Sequence, residues 1–382
     1  MKPIRYFIDV SSLLSEKYTG IQIVNYEIVK YFYEKFWNNS VFFCGDTILH
    51  NSTVQFILQT RSGREAITFV EHGHLYNGSI KYRLNTNEEI NVGIFPCVKN
   101  IFNVFDYEAQ IIYDLTFLLT PEFHNQENIE LHRSRIEKSL STNDLNVCIS
   151  ESTREDIETY LQIARKKTVV AYPGYDIDWK KYESMYSRIL NSNRVEKFIL
   201  ILGTIEPRKN IQLVLSFLEN NPEVLNQYHF VFVGQDGWGN TFNMQVEQIH
   251  LPGALKEKKI KHLSYVSEEE KNILLMTAQF LVYPSIYEGF GLPVLEAMHF
   301  GCPVLASMSS SIPEIGEDVI EYFDPYSLDS FANGFESLEQ RLKFENEKIR
   351  NLCRRKAEIF TWDRFVNTIT KHIVMDLDEK HR

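Results

Sequence analysis

Residues 283–303 read Tyr283-Pro-Ser-Ile-Tyr-Glu-Gly-Phe-Gly-Leu-Pro-Val-Leu-Glu296, then Ala297-Met-His-Phe-Gly-Cys-Pro303. Phe280 to Tyr283 continues an apolar run, so it reads as the end of a buried strand. Glu288-Gly-Phe-Gly291 reads as a turn, because two glycines so close together suit backbone angles that other residues resist. Pro293 fits the first residue of a helix, where its missing N–H is not needed. Val294, Leu295 and Met298 supply a buried face, and Gly301 with Pro303 ends the helix. Strand, glycine turn and helix leave unpaired N–H groups and a positive dipole end facing the turn, a setting suited to an anion. Two carboxylates flank it. Glu288 falls in the turn and Glu296 is expected in the first helical turn, where each also has a plain reading: a solvated loop charge and a dipole-compensating acid.

Together these acids make the pattern Glu, seven residues, Glu around Gly-Phe-Gly-Leu-Pro. The segment resembles the signature of the retaining glycosyltransferases of family 4, which have the GT-B fold and use nucleotide-sugar donors. The resemblance implies that Glu288 contacts the donor sugar and Glu296 the nucleotide ribose. It also assigns Gly289, Phe290, Gly291 and Leu292 to the donor loop, with Phe290 and Gly291 presenting backbone N–H groups to the sugar. It extends over nearly the whole chain, most strongly across residues 198–325 and least across residues 51–100.

Upstream, strand Phe198 to Leu202 leads into Gly203-Thr-Ile-Glu-Pro-Arg-Lys-Asn210 and a helix. Arg208 and Lys209 are then expected at a helix N-terminus, where the dipole disfavours each cation by about 0.3–1 kcal/mol. An anion between them and the helix would reverse that sign; a solvated basic pair is the alternative. The resemblance implies that both meet the donor diphosphate, in the role a metal has in other glycosyltransferases, with Gly203 on the same donor side. No Asp-x-Asp stands out, so neither metal nor other cofactor is expected. Residues 234–239 and 307–314 follow later strands and read as further loops of the same sheet edge.

In the first half, residues 4–10 read as a buried strand and Thr19-Gly-Ile-Gln22 opens a helix to about Trp37. Gly20 either simply permits the turn or, as the resemblance implies, lets the backbone approach the diphosphate. Residues 41–44, 54–58 and 92–96 read as strands. His72-Gly-His74 lacks a third ligand and reads as ordinary loop. Gln110-Ile-Ile-Tyr-Asp-Leu-Thr-Phe117 resembles a family segment that usually carries histidine where Tyr113 stands. Asp114 is either a helix or turn cap or an acceptor contact, and Tyr113 is an acceptor-side candidate able to bond a sugar hydroxyl. Ser150 is expected to cap the following helix.

Strands alternate with helices twice over, which implies an α/β protein of two doubly wound, Rossmann-like parallel sheets, GT-B-like, facing across a cleft. The expected boundaries are an acceptor-side domain over residues 1–178, a linker over 179–197 anchored by Trp179 and Tyr182, and a donor domain over 198–360. The last helix, residues 361–382, is expected to return to the first domain.

Composition agrees with two domains: 382 residues, 44% apolar, exceed one ordinary core. The formal charge of −11 argues against nucleic acid as a partner. Five scattered cysteines without Cys-x-x-Cys indicate neither a disulfide framework nor zinc. No Gly-x-Gly-x-x-Gly follows the first strand, which disfavours a nicotinamide dehydrogenase. Neither a secretory signal nor an apolar run near 20 residues is present, so a cytoplasmic location is expected. Peripheral contact with the inner membrane face would use His132, Arg133, Arg135 and Lys138, with Phe36 and Trp37.

The expectation is a retaining hexosyltransferase that moves a sugar from a nucleotide-diphosphate donor to a saccharide or lipid-linked saccharide, in bacterial O-antigen or capsule synthesis. GDP-mannose is the first donor considered, with dTDP- and UDP-sugars behind it. Rival readings are a non-catalytic sugar-nucleotide-binding scaffold subunit, a sugar-nucleotide epimerase and a phosphorylase.

Overall fold

A computed structural model describes residues 2–15, 20–61, 64–67, 76–80, 84, 88–123, 126–178, 181–182, 197–249 and 259–380. The chain divides into two compact units: Met1–Leu119, Gln126–Gly174 and Thr361–Arg382 form the first, and Thr120–Asn125 with Tyr175–Phe360 the second.

The first unit holds β1 (Ile4–Asp9), β2 (Ser40–Cys44), β3 (Thr47–Leu49), β4 (Tyr76–Ser79), β5 (Ile90–Phe95), β6 (Tyr107–Ile112), β7 (Leu145–Cys148) and β8 (Thr168–Val170). They make one sheet in the order β4-β3-β2-β1-β5-β6-β7-β8, parallel except where β3 pairs with β2 and β4. Strands β5 and β6 are buried along their whole length, as a sheet covered on both faces requires. Chain order reverses at β1, which lies between β2 and β5, and the loops at its C-terminal end are where an open α/β sheet binds ligands.

Residues 54–58 are not a strand. They lie within the helix Asn51–Thr60, which buries Thr53, Val54 and Ile57 on one face and ends at Arg61 in the left-handed conformation. A run of five residues, four of them apolar, is ambiguous between the two periods, and here spacing by three and four positions prevailed over β-propensity. The antiparallel strands β3 and β4 extend the sheet beyond β2, an addition not expected from the sequence.

The helix Trp362–Lys380 belongs to the first unit. Tyr31 Oη donates to Asn367 Oδ1 at 2.9 Å and Tyr107 Oη to Asp376 Oδ2 at 2.6 Å. The chain enters it past Gly174, where a Cβ would lie 2.2 Å from the backbone of Thr361 and Trp362.

The second unit contains β9 (Phe198–Leu202), β10 (His229–Val233), β11 (Ile260–Leu263), β12 (Phe280–Tyr283), β13 (Val304–Ser307) and β14 (Glu321–Phe323), parallel throughout in the order β11-β10-β9-β12-β13-β14. Its reversal point is β9, between β10 and β12. The second unit begins at Tyr175, ahead of the expected linker, because Tyr175 and Tyr182 both pack on Phe300. Trp179 and residues 183–196 of that linker lie outside the described residues, as do Thr19, His72 and His74.

Candidate functional site

The loop after β9 carries the two cations. Pro207–Lys209 forms a short 3-10 turn, Asn210 follows in the left-handed region at φ 52°, and only then does the helix Ile211–Asn220 begin. Arg208 and Lys209 are therefore not in the first turn of that helix, and the expected dipole penalty does not apply in that form. Asn210 holds the turn to the sheet edge through Nδ2 donating to Pro325 O at 2.9 Å. Lys209 lies over Gly203, whose φ is 145°; a Cβ there would meet Lys209 Cδ at 3.4 Å.

Both cations turn toward Glu288. Lys209 Nζ stands 2.5 Å from Oε1, and Arg208 Nη1 3.1 Å from Oε2. Arg208 also donates to Glu206 Oε1 at 2.8 Å and to the Tyr287 carbonyl at 2.7 Å, and Lys209 to Tyr283 Oη at 3.1 Å. Burial pushes the Glu288 carboxyl up, but Arg208 and Lys209 outweigh it and hold it at about 2. Lys209 is lowered by burial and by Arg208, with Glu288 opposing. Such a pair is weak evidence for stability in itself, since desolvating both charges offsets much of their attraction. It is strong evidence of position: three long side chains are held at one end of the sheet.

The glycine turn after β12 is built as a cap. Gly291, at φ 106°, precedes the helix Leu292–His299, and a Cβ there would strike Ile312 Cδ1 at 2.6 Å. Gly289 is not among the positive-φ glycines, so only one of the two serves a left-handed angle. Val294, Leu295, Ala297 and Met298 are fully buried, each larger side chain contributing about 1.5–3 kcal/mol, and they seat the helix against the sheet. Its N-terminal N–H groups have no partner within the helix. Phe290 is also buried, with its ring 5.9 Å from Phe360.

Three serines of the 307–314 loop hold this turn. Ser310 Oγ accepts from Glu288 N–H at 2.9 Å, Ser309 Oγ bonds the Ile286 carbonyl, and Ser311 Oγ lies 2.9 and 2.8 Å from the carbonyls of Glu288 and Phe290. The run of serines before Pro313 was the available signal.

Glu296 sits in the second turn of its helix, not the first, so compensation of the dipole does not explain it. It is buried, and Lys271 Nζ donates to Oε1 at 2.7 Å. No local pattern links residues 25 positions apart, and the sequence offered no sign of this pair.

In the first unit, Gly20 is the first residue of the helix Gly20–Lys35. Tyr113 Oη donates to the Pro96 carbonyl at 2.8 Å, with the Ile21 carbonyl at 3.3 Å, and thus ties the end of β5 to the start of that helix. Its hydroxyl is engaged by backbone rather than open to a sugar. Asp114 Oδ1 accepts from Thr116 N–H at 3.0 Å and Thr116 Oγ1 at 2.6 Å, so it caps the helix Thr116–Leu119. Asp9, not singled out from the sequence, ends β1 as a buried carboxylate bonded to Ser11, and burial raises its pKa.

Among the described residues no group of three His, Cys, Asp or Glu could hold a metal ion, and no helix is long and apolar enough to cross a membrane. On the proposed membrane helix, within Gln126–Thr142, Arg135 is bonded to Asn100 and Lys138 lies 4.2 Å over the Phe102 ring.

Residues 184–357 match the family model described as glycosyl transferases group 1. The chain is 28% identical over 256 residues to O-antigen chain mannosyltransferase B of Escherichia coli, an alignment covering 66% of each chain. It is 31% identical over 172 residues to O-antigen chain mannosyltransferase RfbU of Salmonella typhimurium, covering 44% of this chain and 46% of that one. The chain thus spans about two thirds and about half of these two relatives. The solved sucrose-phosphate synthase of Thermosynechococcus elongatus superposes with a TM-score of 0.65 at 15% identity, over 99% of this chain and 100% of that one. The fold is that of the GT-B glycosyltransferases, with two Rossmann-like parallel sheets.

Proposed function

We propose that this protein is a metal-independent, retaining hexosyltransferase, with GDP-mannose as the first donor to test and a saccharide or lipid-linked saccharide as acceptor. The observation that carries the reading is the convergence of Arg208 and Lys209 on Glu288, beside the helix opened by Gly291. The mannosyltransferase relatives named for O-antigen chains support mannose and a surface polysaccharide.

In the proposed reaction the bond between the anomeric carbon and the diphosphate oxygen breaks, and its electron pair leaves with the diphosphate. The acceptor hydroxyl oxygen forms the new bond on the same face, and its proton passes to the departing phosphate oxygen. Arg208, Lys209 and the helix N-terminus at Gly291 stabilise the charge that develops there. Glu288 orients the sugar and Glu296 the ribose. Gly20 and Gly203 let the backbone stand close to the donor, and Gly289, Phe290, Gly291 and Leu292 form the donor loop. Asp114 acts on the acceptor side through the turn it caps.

The test is incubation of the protein with GDP-mannose, UDP-glucose and dTDP-sugars together with oligosaccharide acceptors. The expected result is nucleotide diphosphate release coupled to an α-linked mannosyl product. Donor binding without release or transfer would leave a binding subunit, and an inverted product would overturn the stereochemistry. If the acceptor is lipid-linked, a peripheral contact would use the face of His132, Arg133, Arg135 and Lys138 with Phe36 and Trp37. Absence of sedimentation with anionic liposomes at low salt would sink that contact.

A further inference from the structure

A carboxylate has two oxygens and about four acceptor positions, and a buried one needs partners for those it exposes least. Glu296 is 6% exposed, and among the described residues its carboxylate is bonded by Lys271 through Oε1 while Oε2 has no hydrogen-bond partner. One oxygen is thus held and the other is open. Lys271 is itself rigidly placed. Its helix, Glu268–Thr277, starts with a capping box in which Ser267 and Glu270 bond each other's backbone N–H. The next residue, Asn272, is buried and accepts from Tyr175 Oη at 3.1 Å while donating to Tyr182 Oη at 2.9 Å, so the helix cannot easily rotate. The Lys271 ammonium also lies 6.0 Å over the Tyr175 ring.

We infer that Lys271 is the positioning residue that fixes the Glu296 carboxylate for a vicinal diol, and so gives this site its selectivity for ribo- over deoxyribonucleotides. The inference rests on the proposed reading of Glu296 as the ribose ligand. With Lys271 on one lone pair of Oε1, the carboxylate rotamer is set and about three acceptor positions remain. Two neighbouring hydroxyls of a ribose can donate to two of these positions, as they do to a carboxylate in other doubly wound sheets. Without Lys271 the carboxylate would be a buried anion free to turn, and its contact with either hydroxyl would weaken.

The experiment measures by calorimetry the binding of GDP and UDP, each against its 2′-deoxy form, to full-length wild type, Lys271→Met, Lys271→Arg, Glu296→Gln and the Lys271→Met/Glu296→Gln double variant. For whichever base binds more tightly, wild type is expected to prefer the ribo form about tenfold or more, as for loss of a hydrogen bond to a charged group. Lys271→Met should bring that ratio close to one, and Lys271→Arg should restore most of it. The double variant should be no weaker than Glu296→Gln, since both changes break one contact. A ratio unchanged in Lys271→Met, or losses that add in the double variant, would overturn the role of Lys271 alone. A wild-type ratio of one, or binding of neither nucleotide, would instead sink the ribose reading and the inference with it.

Discussion

Lys209 Nζ lies 2.5 Å from Glu288 Oε1 across 79 positions of sequence, and Arg208 takes the other carboxylate oxygen at 3.1 Å. The two cations are therefore paired within the chain by one carboxylate. Under the proposed reaction a donor diphosphate would share or take over that pairing and free Glu288 to meet the sugar.

Turnover should fall about 10²-fold or more in Arg208→Ala and Lys209→Ala, the usual loss when one charge-stabilising donor is removed. Lys209→Ala also leaves the buried Glu288 carboxylate with Arg208 as its remaining cation, so stability should fall too, by less than the about 3–5 kcal/mol of a fully broken buried pair. Lys209→Met/Glu288→Gln should recover much of that stability but none of the activity. Urea denaturation beside initial rates separates the two effects. Wild-type turnover in both single variants would remove the pair from the mechanism.

Glu288→Gln and Glu296→Gln should differ in kinetics. Glu288 stands with the cations and its loss should lower kcat, whereas Glu296 stands with Lys271 and its loss should raise KM for the donor. Equal effects on both parameters in both variants would mean that neither assignment holds.

His299 should make the fold sensitive to mild acid. Burial lowers its pKa to about 4 against the ordinary 6.5, with only the Phe360 backbone bond opposing, and Nε2 has no partner among the described residues. The unfolded chain therefore binds more protons than the native state between about pH 4 and 6.5. Stability rises with pH across that window and is lost on acidification, by on the order of 3 kcal/mol in all. His299→Leu should flatten this part of the profile, and denaturation midpoints at pH 5 and 7 would show it. An unchanged slope in the variant would assign the acid sensitivity to other groups.

Excess chelator should leave transfer at its full rate, because the proposed charge stabilisation comes from Arg208, Lys209 and the helix at Gly291. A strict dependence of the rate on added Mg²⁺ or Mn²⁺ would contradict it.

The strands and the loops that follow them were legible because their signals are local. Apolar runs such as Phe198–Leu202 and Phe280–Tyr283 are buried on both faces and need no partner to be recognised. Gly291 and Pro293 likewise announce a turn and a helix start within three positions. Where the local signal was double-valued, tertiary packing chose: residues 54–58 became helical because Val54 and Ile57 bury one face together. Asp114 became a cap because Thr116 stands two residues on, and Arg208 with Lys209 was separated from the next helix by the left-handed Asn210. Other relationships had no local trace at all. Glu288 finds its cations 79 positions away and Glu296 finds Lys271 25 positions away, because parallel strands joined by crossovers bring the ends of distant segments to one edge. Side-chain charge can be read from a sequence; which charges become neighbours depends on strand order, and that order is settled only when the sheet forms.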